Sequence, residues 1–298
     1  GSQGMFVSFM VTFFVCQVEK FCQDHNVSIK MPDVCPPALV HGFSAILPLA
    51  FAMIPLYALE VIISVVSGGA LGVCSGFMMV LSAPLNALVS VPGMFILVPF
   101  ACLLWCFGIH GSMIVMSVLM PLMIQAATSN AAAYAAGGVS ALVFYPISLY
   151  SSLAYCGGSG NTLPLVIFGL RAKSEQIKAV SKIAFIPCWF GIKEPVTFGL
   201  PIMYNPILCI PYILNVLLVM VCSLIGYKTG FLIPGFIPIM TLLPMGFGSF
   251  LSTLNWRNAI WDYLMMIPAG IVWYPFFKAY DNQLYKQEQA AAAAEKAA

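Results

Sequence analysis

Apolar runs long enough to cross a bilayer alternate with short polar breaks along most of this chain. A membrane-spanning helix needs about 20 mostly apolar residues. Residues 5–21 are the first candidate, closed by Glu19 and Lys20. The polar stretch QDHNVSIKMPDVCPP (23–37) follows, and its adjacent prolines keep it out of helix. Residues 42–66 form a second span, long enough to tilt, and its Glu60 should face protein or the interface rather than lipid. From Ser67 the runs shorten, and SGGALGVCSGFMMVLSAPLNALVSVP reads as an amphipathic helix lying along the interface.

Two apolar runs, 93–109 and 112–127, are broken at FGIHG, and 131–150 make another span. YCGGSGNTLPL (155–165) puts a glycine-rich turn with polar residues at membrane depth. RAKSEQIKAVSK (171–182) is the one strongly charged loop, cytoplasmic by its excess of basic residues. Residues 183–203 are apolar but carry Pro187, Gly191, Lys193, Glu194, Pro195 and Pro201, a pattern for a re-entrant or broken helix. Spans at 206–226, 230–252 (interrupted by Pro234, Pro238 and Pro244) and 259–277 complete the set. The expected fold is an all-α polytopic integral membrane protein with re-entrant hairpins. It divides into scaffold helices (1–66), an interfacial linker (67–92), a transport domain (93–277) and a polar tail (278–298).

Composition agrees. Hydrophobic residues make up 61% of the chain and charged ones 7%, against about 25% charged in a soluble domain. A formal charge of +2 without a basic cluster excludes nucleic acid as a partner. The ten cysteines lack metal-ligand spacing and read as buried, reduced thiols, so neither a metal nor another cofactor is expected. No charged segment precedes the first apolar run, so no signal peptide is expected. Gly1 reads as the edge of a longer chain rather than a natural start. The end, AAAAAEKAA, reads as a partly helical tail with no core to join.

Chemistry concentrates at FGIKEPVTFGLPIMYNP (190–206). An ionised carboxylate in an apolar segment is costly and functional by default. Pro195 suits the first position of a helix, which makes Glu194 the N-cap of a half-helix whose free N–H groups stabilise an anion. The alternative is a structural Lys193–Glu194 pair that only satisfies the hairpin. His110 lies between glycines, either exposed at a bend or bonded to a neighbouring carbonyl. Asn161 and Thr162 either bond a ligand's hydroxyls or cap the next half-helix. Asn86, Asn205 and Trp256 are weaker candidates, and a Trp at a span end reads as an interfacial anchor.

FGIHG, GGSGNTLPL (157–165), AKSEQIKAVSKIAFIP (172–187) and FGIKEPVTFGLPIMYNP occur in one order, with KMPDVCPPALVHGFSAILP (30–48) ahead of them. Together they resemble the enzyme IIC component of bacterial phosphotransferase-system sugar permeases, in the lactose/cellobiose/chitobiose branch. The resemblance covers nearly the whole chain. It implies a multi-pass protein of the bacterial cell membrane, paired as a homodimer, that binds and translocates a β-linked disaccharide. A phosphocysteine on a separate IIB protein would then phosphorylate the sugar's 6-hydroxyl, which leaves open whether this chain is itself an enzyme. His110 and Glu194 are the positions that would contact the sugar, Glu194 as orienter or base. Two departures stand out. Lys193 replaces the usual Asn before the glutamate, and family members carry more N-terminal spans ahead of GSQGMFV. The competing readings are an ion-coupled secondary transporter, a truncated non-transporting subunit and, least supported, an intramembrane hydrolase.

Overall fold

The computed structural model describes residues 3–29, 37–239 and 241–297. It is 75% helical, with no strand among the described residues. Three helical stretches are long and apolar enough to cross a membrane, Gly42–Val66, Gly111–Ala141 and Pro206–Lys228. The chain forms two compact units, Gly1–Asn86 and Ala87–Ala298.

The first unit holds α1 (Gln3–Asp24), α2 (Pro37–Ser44), α3 (Ile46–Val66) and most of α4 (Val73–Leu88). α3 packs on α1 and α2, yet Leu49, Phe51, Ile54, Tyr57, Val65 and Val66 remain exposed. Apolar surface of that extent suits hydrocarbon rather than water. Glu60 faces protein. Its Oε2 accepts the Val73 N–H at 2.7 Å, so the carboxylate caps the start of α4. A Cβ at Gly72 would lie 2.5 Å from Glu60 Oε1, so a side chain there would displace the capping carboxylate.

The second unit continues with α5 (Val91–Cys106), α6 (Gly111–Gly137), α7 (Leu163–Gly169), α8 (Glu175–Trp189), α9 (Glu194–Gly199), α10 (Pro206–Lys228), α11 (Phe247–Thr253), α12 (Trp256–Leu264) and α13 (Met266–Ala297). α10 is its axis. Leu208, Tyr212, Val216, Val219 and Met220 are buried, and the helix packs on α13, α5 and a 3-10 stretch, Pro146–Leu153. Truncating one such buried side chain to Ala costs about 2–5 kcal/mol. Side-chain caps fix where helices begin. Ser90, Ser174, Asn205 and Asn255 accept N–H groups of the turns that follow them.

Several expected elements differ. Residues 131–150 make no span of their own, because α6 runs on to Gly137. Gly138 (φ 67°) then ends it, and short 3-10 pieces follow. The charged stretch 171–182 is mostly helix, since Ser174 caps α8 and Glu175 sits in its first turn. In 230–252 only α11 is helical. Pro234, Pro238 and Pro244 lack the N–H a helix requires.

Beyond Phe277 the chain stays helical and joins the core. Asp281 is buried and accepts the N–H groups of Lys173 and Ser174. Glu288 accepts the Ser174 hydroxyl at 2.6 Å and the Glu175 and Gln176 N–H groups, both at 3.1 Å. Two carboxylates of α13 thus take the orphan donors at the start of α8. The Ser174 hydroxyl and these amides hold the Glu288 carboxyl below its ordinary value. A depressed carboxyl contributes stability above its unfolded pKa, and that contribution is lost as pH falls through the folded one. Acidification below the usual carboxylate range should therefore lower the amide-exchange protection factors, taken relative to the intrinsic rate at each pH, at residues 174–177. Glu288→Gln should show the lower protection already at pH 7, and equal protection in both proteins would contradict the cap.

Candidate functional site

Two interrupted hairpins meet in the second unit. One runs from the Pro146–Leu153 stretch through a turn at 154–162 into α7, the other from α8 through a turn at 190–193 into α9. Gly158 (φ 77°) makes the closest approach. A Cβ there would lie 2.5 Å from the Gly191 carbonyl and 3.0 Å from Lys193 Cβ. Glycine is required both by the left-handed backbone and by that proximity.

The turn into α9 carries the charged pair. Lys193 is the N-cap, Glu194 the first helical residue and Pro195 the second, so the glutamate lies one place further into the helix than the expected cap. The anion still sits in the first turn, where free N–H groups favour it. Glu194 Oε1 is 3.1 Å from Lys193 Nζ and 3.8 Å from His110 Nε2. The Glu194 and His110 side chains are about 40% exposed, whereas Lys193 is at 6%. The acid and the imidazole therefore face open space, with the ammonium beneath them.

Further groups order the cluster. Lys193 Nζ lies 4.2 Å from the Trp105 ring centroid, a cation–π contact, and the Trp105 and His110 rings are 4.3 Å apart. Trp105 Nε1 donates to Ser112 Oγ at 3.0 Å, and Ser112 Oγ is 2.6 Å from Ser159 Oγ in the glycine turn. His110 Nδ1 accepts the Met113 N–H, capping α6, which leaves its proton on Nε2 toward Glu194. The imidazole lies at the bend, and its bonded nitrogen accepts an N–H rather than meeting the neighbouring carbonyl of the alternative reading. Tyr204 ties the stretch after α9 to the α5–α6 turn, its N–H to the Cys106 carbonyl and its hydroxyl to that of Phe107.

Asn161 and Thr162 do not join the charged cluster. Both are fully buried. Asn161 accepts the Cys156 N–H and donates to the Ser152 carbonyl, and Thr162 donates to the Gly157 carbonyl. They hold the turn, and Trp273 Nε1 braces it from α13 through the Gly160 and Asn161 carbonyls. Asn205 caps α10 and Trp256 is exposed at the start of α12. The Asn86 side chain lies outside the described residues. Trp105, Ser112, Ser159 and Tyr204 escape sequence reading because an aromatic in an apolar helix or a serine in a turn has no signature of its own. The five-residue spacing of Trp105 and His110 was the available signal. No three His, Cys, Asp or Glu residues come together as metal ligands among the described residues.

Beside the hairpins lies a cavity of about 430 Å3, reached by Gly157 and Gly191 of the two turns and lined by Asn130, Tyr150, Tyr155 and Asp262. Neither His110 nor Glu194 is among its walls. The charged cluster and the cavity share the two turns and Tyr150, which lines the cavity and donates to the Ser112 carbonyl.

Residues 1–216 match the family described as phosphotransferase system, EIIC. This chain belongs to that family. The EIIC chain is 32% identical to the lichenan permease IIC component of Bacillus subtilis (strain 168), over 97% of its own length and 64% of the relative's. It is 30% identical to the cellobiose-specific EIIC component of Geobacillus stearothermophilus, over 97% of its own length and 65% of the relative's. Among solved structures it superposes on ChbC, the IIC component of the N,N'-diacetylchitobiose-specific phosphotransferase system. The TM-score is 0.88 at 30% identity, covering 97% of this chain and 67% of ChbC. The chain therefore spans about two thirds of the length of these relatives.

The packing of the hairpin tips is testable by comparing two glycines. Gly158→Ala should lower the melting temperature more than Gly138→Ala. Both positions have positive φ, but nothing lies within 4 Å of a Cβ at Gly138. Gly138 (φ 67°, ψ −155°) lies in a region essentially confined to glycine and itself carries about 1–3 kcal/mol of strain on substitution, so an excess at Gly158 reports the contact with Gly191. A smaller loss at Gly158 than at Gly138 would contradict that contact.

Proposed function

We propose that this EIIC protein is the sugar-binding and translocating component of a phosphoenolpyruvate-dependent phosphotransferase system, taking a β-linked disaccharide of the cellobiose, chitobiose or lactose type. The single observation that carries the reading is the half-exposed Glu194 carboxylate, fixed at a hairpin tip by Lys193 and flanked by His110. A carboxylate accepts two hydroxyl hydrogen bonds and Nε2–H donates one, which suits the alternating donors and acceptors of a sugar. The specificities of relatives, cellobiose and N,N'-diacetylchitobiose among them, support the substrate class.

In this reading Glu194 orients the sugar's 6-hydroxyl for a phosphorylated IIB partner, which supplies the phosphoryl group. Lys193, in place of a neutral residue, keeps the acid ionised and in register. The protein is a multi-pass component of a bacterial plasma membrane and works as a homodimer. α4 lies along the interface as a linker, and residues 93–277 form the transport domain. Apolar helices of spanning length support the membrane assignment.

Calorimetric titration with cellobiose, N,N'-diacetylchitobiose and lactose tests the assignment. Glu194→Gln should weaken binding of the preferred sugar by about tenfold or more, the worth of a charge-assisted hydrogen bond. Equal affinity in both proteins would move the sugar away from this hairpin. Uptake driven by a pH gradient without sugar phosphorylation would instead mark an ion-coupled transporter.

A further inference from the structure

One buried acid of the second unit is unused by the Glu194 cluster. Asp262, on α12, is 4% exposed. Its Oδ2 accepts the Gly246 N–H at 3.1 Å and the Ser249 hydroxyl at 2.7 Å, whereas its Oδ1 has no partner. No Lys, Arg or His pairs with it among the described residues. A buried carboxylate with spare acceptor capacity is costly unless a donor arrives from elsewhere.

The side chain lines the cavity of about 430 Å3, a volume suited to a small ligand. Three other polar side chains on its walls are committed. The Asn130 amide bonds Val143 and Gly235, and the Asn258 amide bonds both backbone groups of Ile233. Tyr150 donates to the Ser112 carbonyl. The walls also bring Tyr155, Tyr227 and Trp189, so aromatic faces surround one acid. Apolar faces with a few fixed polar groups are the surface a pyranose ring matches. Gly191 on the cavity rim precedes Glu194 by three residues, which is at most about 10 Å of extended chain. The cavity and the acid therefore share one hairpin turn.

We propose that Asp262 is a specificity-determining residue that accepts a hydroxyl from the second ring of the disaccharide, while Glu194 holds the ring to be phosphorylated. The proposal rests on the sugar-binding reading of Glu194 and adds a subsite with its own acid. It explains why a system for disaccharides keeps an uncompensated carboxylate in an otherwise satisfied wall.

The test is titration of the full-length protein with its preferred disaccharide, with the constituent monosaccharide, and with analogues each lacking one hydroxyl of the second ring. Asp262→Asn should weaken the disaccharide by about tenfold, leave the monosaccharide unchanged, and erase the penalty that the wild type imposes on one deoxy analogue. Unchanged disaccharide affinity, or equal weakening of both sugars, would overturn the subsite and leave Asp262 as a brace for the 246–249 turn. Should the variant not fold, the wild type still decides, because equal binding of every deoxy analogue also overturns the proposal. Insensitivity of both sugars to Glu194→Gln is the separate result that removes the underlying reading.

Discussion

An ionised carboxylate at the tip of an interrupted hairpin is the constraint around which the second unit is organised. Transfer of such a group out of water costs several kcal/mol when nothing compensates it. Compensation comes from three directions, the first turn of α9, Lys193 at 3.1 Å and His110 at 3.8 Å. Each must be held in place by something else. Trp105 lies against both the lysine and the histidine, the α6 cap fixes the imidazole, and Tyr204 ties the two segments together. Removal of one partner leaves the others exposed to the same desolvation cost, so the cluster behaves as a unit.

The hairpins that carry it are broken helices, and every break leaves orphan backbone groups. Side chains close to the breaks satisfy many of them. Asn161 and Thr162 close the glycine turn internally, and Asn205 opens α10. α13 does the same over a longer distance, with Trp273 at the tip of one hairpin and Asp281 and Glu288 at the base of the other. One helix thus fixes both hairpins at opposite ends. Its polar C-terminal part belongs to the structural machinery even though its composition reads as a solvated tail.

The membrane class and the broken hairpin at 183–203 are legible in the sequence because each leaves a local signature, whereas His110 and Glu194 are brought together only by the family resemblance. The signatures are apolar run length, proline and glycine at fixed places, and charge in an apolar setting. What escapes is non-local. The continuation of α6 past residue 131 depends on where a glycine ends it, not on hydropathy, which is equally high on both sides. The charged stretch 171–182 looks like a loop until Glu288, more than 100 residues away, caps it. Asn161 and Thr162 have the right chemistry for a ligand, but the turn consumes their hydrogen bonds. Sequence shows which groups are polar, whereas the fold decides which remain available.

Lys193 gives this reasoning its sharpest form. A lysine next to the functional acid would be expected to compete with any ligand for it. Yet the Lys193 side chain is at 6% exposure while that of Glu194 is at 40%, so the lysine meets the acid from within the protein. The lysine sits on the Trp105 face, inside the protein, and leaves the outer side open. A cation held there fixes the ionisation of the carboxylate without occupying its exposed flank. That arrangement lowers the cost of a charged group in an apolar unit and holds the carboxylate in one place at the hairpin tip.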